Sequence, residues 1–467
     1  MEDIFTGVGG NHKTQGDYIT ASADIFSVVP RDKSTHYGRE SVHRPTTENV
    51  DGPYEFYLPA EGSTYIDPDG FRMSGYTQLK MIGANGALED LKETVEANAG
   101  VNPPIVGVVA PHVAPISFAP GMAFQTKEVS MQGQLINYAT QPLENISAYI
   151  ENLLSYGTDA KNSVLEGSAQ WYPDEPGKAD TCDGAAFLKR KKLWAGSKLV
   201  PFCIPLQIGL FNTERFFPDG LDIHIRFTKA PDAMLYTTTE TNAQFKLVLS
   251  QLKIHSRRVT MSADILRDHA RLFNAGGHAI YPYSRTDMKF VNIAKHSSTA
   301  WADSIHRNRV PTGMMIFFID ASALAGNAQK NVQNLQHFNV SNFKCLINSE
   351  EVPPHGYRQN YEGDDFALTY RRFFDNSGIR TNNIGNGITA SAFKNGSCIY
   401  VIDNTPDQCN GFHDHTDIAG KVEYQVTFQP PLTEAVSMVI LSAYDDAIRL
   451  DKYRNVVNRG EPLPIGR

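Results

Sequence analysis

The stretch GLDIHIRFTKAP, Gly220 to Pro231, alternates apolar and polar residues with a period of two. In an extended chain Leu221, Ile223, Ile225 and Phe227 share one side, and Asp222, His224 and Arg226 share the other. That is the pattern of a strand with one buried and one wet face. An acid, an imidazole and a guanidinium in one row are also the makings of a catalytic set, and a second stretch decides between the two readings. VEYQVTFQPPL, Val422 to Leu432, lies 201 residues further on. Leu221, Ile223, Ile225 and Phe227 fall on Val422, Tyr424, Val426 and Phe428, while Asp222, His224 and Arg226 fall on Glu423, Gln425 and Thr427. The apolar side repeats; the imidazole and the guanidinium do not. A catalytic set is not expected to survive as mere polarity, so the row reads as the outer face of a structural strand.

Two further matches keep the same order. LVLSQLKI (247–254) aligns with MVILSAYD (438–445), and Tyr149 and Gly157 align with Tyr370 and Gly378 at an offset of 221. Helix, turn-rich stretch and two adjacent strands thus occur twice, with offsets that drift as loop insertions make them. The chain reads as an internal duplication into halves of roughly 230 residues.

Other β-rich runs fill both halves. The first holds YEFYLP (54–59), FQTKEVSMQGQL (124–135) and KLVPFCIPLQIGLF (198–211). The second holds DMKFVNIA (287–294), GMMIFFID (313–320), FKCLINSEEV (343–352), SCIYVID (397–403) and AVSMVILSAY (435–444). Three helices interrupt them: 145–157 with Asn145 as N-cap, 262–277 with Ser262 as N-cap and Gly276 at its end, and 364–378. About eight short strands per half point to sandwiches, and eight strands in two Greek keys make a jelly roll. The expected class is all-β, two tandem eight-stranded jelly-roll sandwiches with a few short helices in connections. The expected division is a flexible N-terminal arm 1–20, a first jelly roll 21–258, a linking helix 259–277, a second jelly roll 278–450 and a C-terminal tail 451–467. Both termini lack hydrophobic periodicity and are expected to order only on assembly.

Composition excludes several functions. With 467 residues, 41% hydrophobic, the chain can build a large core, and 36 Gly and 26 Pro suit many strands and turns. A net charge of −8 leaves no overall basic field for a polyanion. Cys182, Cys203, Cys345, Cys398 and Cys409 contain no CxxC pair and read as reduced thiols. The start, MEDIFTGVGGNHKTQGDY, has no apolar core of an export signal, and no run of 18 apolar residues marks a membrane span.

Four features carry candidate chemistry. CNGFHDHTD (409–417) clusters Cys409, His413, His415 and Asp417, but in no known zinc spacing; a polar loop between strands explains it better. LKRKKLW (188–194) is the one dense basic run, read as a solvated loop ahead of an inward-facing phosphate contact. Asp364 and Asp365 fit a helix start, and Asp445 and Asp446 fit an edge charge that discourages sheet pairing. NNIGNGITAS (382–391) lacks the spacing of a phosphate cradle, and no GxSxG, HExxH or Walker motif occurs. No catalytic, cofactor-binding or metal-binding residue is therefore assigned.

Six segments, in order, carry a family resemblance: DIFSVVPRDKSTHYGRESVHRPTT (24–47), GPYEFYLPAEGSTYIDP (52–68), LLSYGTDAK (153–161) with WYPD (171–174), IPLQIGLFNTERFFPDGLDIHIRFTKAPDAMLY (204–236), and LSAYDDAIRLDKYRNVV (441–457). Together they resemble the hexon-like major capsid proteins of Polinton and Maverick elements and of adintoviruses. The resemblance implies a double jelly roll that trimerises into a pseudo-hexagonal capsomer and tiles an icosahedral shell around double-stranded DNA. It implies a virion protein made and assembled inside the host cell, with no catalytic residue and no cofactor. Its partners would be other copies of itself, penton and minor capsid proteins and, weakly, packaged DNA on the inner surface. The connections here read as short, which implies a low-profile capsomer.

Two other functions fit a jelly roll. A carbohydrate-binding or glycosidase protein would use YDDA or WYPD as aromatic platform and carboxylates, stay monomeric, and have no use for a duplication. A vertex protein of the same virus type would have one roll and form five-fold rings, which the duplication opposes.

Overall fold

The computed structural model describes residues 33–47, 49–93, 110–137, 141–241, 243–306, 308–379, 385–408, 415 and 418–459. The expected arm 1–20 and the end of the expected tail, 460–467, lie outside the described residues.

Eight principal strands form the first half: β1 (Thr35–His43), β2 (Tyr54–Leu58), β3 (Thr64–Ile82), β4 (Phe124–Met131), β5 (Gln134–Asn137), β6 (Val200–Pro205), β7 (Ile223–Lys229) and β8 (Gln244–Met261). Eight form the second: β9 (Ala279–Ile293), β10 (Thr299–Ala302), β11 (Gly313–Asp320), β12 (Val340–Ile347), β13 (Glu350–Arg358), β14 (Ile399–Asp403), β15 (Val422–Phe428) and β16 (Val436–Leu450). In the first half β1-β8-β3-β6 make one antiparallel sheet and β2-β7-β4-β5 the other. In the second half β9-β16-β11-β14 and β10-β15-β12-β13 repeat that order strand for strand. Each half is therefore a jelly roll, and the chain is a double jelly roll.

The quoted stretch explains the central strand of each smaller sheet. Ile223, Ile225 and Phe227 of β7 are at most 1% exposed, and Val422, Tyr424, Val426 and Phe428 of β15 at most 2%. Phe227 meets Phe56 and Phe124 with ring centroids 5.9 and 5.0 Å apart. Phe428 meets Phe318 of the facing sheet at 5.9 Å, closing the second sandwich. Burial of these side chains, each contributing roughly 1.5–3 kcal/mol, holds the two sheets together.

The runs 124–135 and 343–352 each prove to span a hairpin. Met131 pairs with Gln134 around Gln132 and Gly133 (φ 49° and 74°), and Ile347 pairs with Glu350 around Asn348 and Ser349 (φ 52° and 72°). Two successive positive φ values define the mirror-image turn whose twist suits a two-residue hairpin. The same turn thus stands at the same place in both rolls.

Among the described residues four helices of eight or more residues lie in the connections: α1 (Glu144–Ser155), α2 (Ala185–Leu193), α3 (Ala263–Asn274) and α4 (Ala367–Asn376). Ser262 caps α3 as expected, its side chain accepting from Ile265 N. Gly276 (φ 86°) closes it, with Gly277 N bonded to Leu272 O.

Several expectations are corrected. Asn145 is not an N-cap: it lies one residue inside α1, fully buried, and donates from Nδ2 to Met122 O. Asp364 and Asp365 precede the first turn of α4; Asp364 pairs with Lys394, and Asp365 exchanges backbone bonds with Asn360. The connections are not short, since 138–199 separates β5 from β6 and holds both α1 and α2. Residues 451–459, expected as tail, turn back so that Val456 pairs with Leu450, and Arg454 binds Asp219 at 2.5 Å.

Candidate functional surfaces

The row Asp222, His224 and Arg226 lies on the outer face of the smaller first sheet. Register places Arg226 between Glu55 of β2 and Glu128 of β4, at 3.4 and 3.6 Å. Asp222 Oδ1 accepts from Tyr57 Oη at 3.0 Å and from Ala60 N at 2.7 Å. These are cross-strand pairs of a solvated face, each a fraction of a kcal/mol to about 1 kcal/mol. Tyr57 faces His224, and Trp301 faces Gln425, the duplicate of His224. An exposed aromatic, 51% for Tyr57 and 62% for Trp301, thus recurs at one position of both rolls.

The basic run is a helix rather than a loop. It forms α2, where positive side chains near the C-terminus complement the helix dipole. Arg190 is fully buried, bound to Asp174 at 2.7 Å and to Pro115 O at 2.7 Å. Lys189 binds Glu166 at 2.6 Å, and Lys191 Nζ lies 3.2 Å from His112 Nδ1. One of its four charges, Arg190, is thus neutralised inside the fold, while Lys189 and Lys192 stay at the surface.

Asp445 and Asp446 lie beyond the reach of β11, which pairs with β16 only as far as Ala443, but they are not bare edge charges: β9 pairs with both, and both carboxylates are engaged within the chain. The Asp446 carboxylate, 2% exposed, is held by Arg285 at 2.5 Å and Arg309 at 3.0 Å. Both guanidiniums stack on Tyr444, at 4.7 and 5.1 Å. Beside them His306 bridges Tyr444 Oη (2.9 Å) and Tyr424 Oη (2.6 Å), and burial lowers its pKa to about 4. This network was invisible in the sequence, because its members come from segments more than a hundred residues apart.

Cys409, His413 and Asp417 lie outside the described residues. His415 places Nε2 3.0 Å from Asp407 Oδ1 and donates its backbone N–H to Asp445 Oδ2 at 3.1 Å. Among the described residues no group of three or more His, Cys, Asp or Glu side chains is placed to hold a metal. Among the same residues no helix is long and apolar enough to cross a membrane.

The rolls meet along a polar seam. Lys161 Nζ donates to Leu153 O in the first roll and to Asn386 O in the second, both at 2.6 Å, and desolvation lowers its pKa to about 8. Asn331 N and Gln333 Nε2 donate across to Asp180 Oδ1 and Ser117 O, both at 2.7 Å. A cleft of about 230 Å³ opens here beside Trp171, Lys161 and Asp174. Its best-placed charges are already paired, Asp174 with Arg190 and Lys161 with carbonyls, which suits a joint better than a reaction centre.

No family model matches the chain. A curated relative, the uncharacterized protein F54H12.2 of Caenorhabditis elegans, is 19% identical over 415 residues, covering 87% of this chain and 93% of that protein. Among solved structures, a chain of the Sputnik virophage particle aligns with a TM-score of 0.62 and 11% identity, over 98% of this chain and 93% of its own length. The Faustovirus major capsid protein aligns at 0.54 with 8% identity, covering 91% and 92%. The mavirus major capsid protein aligns at 0.50 with 12% identity, covering 99% and 100%. The fold is that of the double jelly-roll proteins, shared over nearly the whole chain.

Proposed function

We propose that the chain is a hexon-like major capsid protein, three copies of which form a pseudo-hexameric capsomer that tiles an icosahedral shell around double-stranded DNA. The observation that carries this reading is the strand-for-strand repeat of one jelly roll inside one chain. Such a repeat gives a trimer six similar units, the means by which three chains fill a six-fold position. The likeness to major capsid proteins of Faustovirus and mavirus supports it. The order of the six segments quoted above supports the Polinton, Maverick and adintovirus type. The reading makes the protein a structural component of the virion, assembled inside a host cell, and assigns it no catalytic residue. Penton and minor capsid proteins are its further partners, and α2 is the element through which a weak contact with packaged DNA would run.

Particle mass and projected outline of the purified protein test the proposal. A three-chain particle with a near-hexagonal outline and six lobes is expected. A two-lobed monomer at all concentrations, or a five-fold ring, overturns it.

A further inference from the structure

The outer face of the sheet β1-β8-β3-β6 carries a row of side chains that the capsid reading does not use. Glu40, His255, Ser74 and Cys203 stand on these four neighbouring strands, in that order. His255 Nδ1 lies 2.6 Å from Glu40 Oε1, and His255 Nε2 lies 2.8 Å from Ser74 Oγ. Cys203 is the register partner of Ser74. The row is silent in the sequence, because its bonded pairs are 215 and 181 positions apart.

The ring tautomer follows from the partners. A carboxylate only accepts hydrogen bonds, so Nδ1 carries the ring proton. Nε2 of the neutral imidazole is then an acceptor, and Ser74 Oγ donates to it. Nucleophile, base and orienting acid stand in this relation wherever a serine is activated for acyl transfer. Two irregularities of β8 place the imidazole. Its register against β3 slips between Ser250 and Lys253 and again between His255 and Arg257, so His255 lies between two bulges. Bulges re-aim side chains and are over-represented beside reactive sites.

The second roll shows what a structural clamp looks like at this place. Extending the match of 247–254 with 438–445 by one residue sets His255 on Asp446, which two arginines hold. A clamp between strands needs no hydroxyl; the first roll has one, bonded to a base. Register puts Lys253 opposite Ser74 and Arg72 opposite His255, so two cations share the face on which an oxyanion would form. Glu40 and Cys203 are exposed, and His255 and Ser74 are half-buried.

We propose that Ser74 is a nucleophile toward small acyl esters, with His255 as its general base and Glu40 as the residue that positions the imidazole. Ser74 Oγ bonds to the acyl carbon, its proton passes to His255 Nε2, and the bond to the leaving oxygen breaks as that oxygen takes the proton. Water then attacks the acyl carbon through the same base, the carboxylic acid departs, and the proton returns to Ser74 Oγ. An open sheet face cannot grip a long or branched acid, so the substrate class is a short acyl group on a stable leaving group, as in phenyl acetates. The inference lies beyond the capsid reading, which assigns no catalytic residue, and its test is separate.

The test uses the full chain. A fluorophosphonate probe, which labels serines whose hydroxyl a neighbouring base activates, is applied to native and to urea-unfolded protein, and the labelled peptide is identified by mass spectrometry. Label on Ser74 of the native chain alone is expected. No label, or label only elsewhere, overturns the proposal even where a variant fails to fold. Native protein should also release nitrophenolate from p-nitrophenyl acetate faster than unfolded protein does. Ser74→Ala and His255→Gln should each lower that excess rate about 100-fold or more, with melting temperatures matching wild type. An excess that either variant leaves unchanged overturns the proposal. An excess that Cys203→Ser abolishes overturns it too, by naming the thiol as the nucleophile. The nitrogen-15 shifts of the His255 ring at pH 9 read the part of Glu40. Protonated Nδ1 is expected in wild type, with the proton divided between both nitrogens in Glu40→Ala; a wild-type ring protonated on Nε2 overturns the arrangement.

Discussion

Acid should loosen the second roll through two buried histidines. Burial lowers the pKa of both His306 and His337 from 6.5 to about 4, with the Lys289 and Lys394 charges adding to it and Asp287 opposing it at His306. His306 is wedged between two tyrosine hydroxyls, and His337 stacks on Tyr361 at 4.1 Å. Between pH 6.5 and 4 the unfolded chain binds protons that the folded chain refuses, so stability falls as pH falls through this window. From pH 7.5 to 5.0 the loss is about 2 kcal/mol for each histidine, about 4 kcal/mol together. That is a large part of a typical domain stability of about 5–15 kcal/mol. Carboxylates also titrate here, and Glu144 and Asp174, raised by burial, act in the opposite direction. The informative quantity is therefore a difference: urea unfolding of wild type and of His306→Gln/His337→Gln at the two pH values. The variant should lose about 4 kcal/mol less than wild type on acidification. An equal loss in both proteins refutes the reasoning.

Further predictions concern packing and pairing. Phe227→Ala and Phe428→Ala, at duplicate positions, should each cost about 3–5 kcal/mol in denaturant unfolding, and a difference above about 2 kcal/mol between them would show the two cores are not equivalent. Arg226→Ala on the outer face should cost less than about 1 kcal/mol by the same measurement. Arg190→Met leaves the buried Asp174 carboxylate without its cation and should lower stability by about 3–5 kcal/mol, read as a lower melting temperature. Lys161→Met should flatten the rise in stability expected between pH 8 and 10.5, because the wild-type ammonium is held unfavourably by burial until it deprotonates.

The duplication was legible because period-two burial leaves a mark at every second residue of β7 and β15, whatever the outer face carries. β3 was not legible. Its 19 residues include Pro68, Gly70 and Gly75, which read as turn residues. In the fold these glycines admit irregular stretches of β8: a Cβ at Gly70 would lie 2.8 Å from Arg257 Cβ, and one at Gly75 would lie 2.8 Å from Leu252 Cδ2. The hairpin at Asn348 and Ser349 was hidden because neither residue is glycine, although both adopt positive φ. The character of Asp446 was hidden because its two arginines arrive from other strands. The basic run looked solvated because nothing local announces that Arg190 points inward to Asp174. Periodic faces are written locally; ion pairs between distant strands are not.

The polar seam also sets a schedule. Lys161 and Ser117 belong to the first roll, but their partners Asn386 and Gln333 are made later. At about 5–20 residues per second, translation from the end of the first roll to Asn386 takes roughly 6–25 s. Throughout that interval the nascent first roll can condense its own sandwich but must keep a half-built joint in water. On a crowded polysome, the second roll of a neighbouring chain offers the same acceptor and donor. Speed of synthesis therefore decides which second roll each first roll meets, and we expect slowed translation between 260 and 386 to raise the yield of swapped dimers.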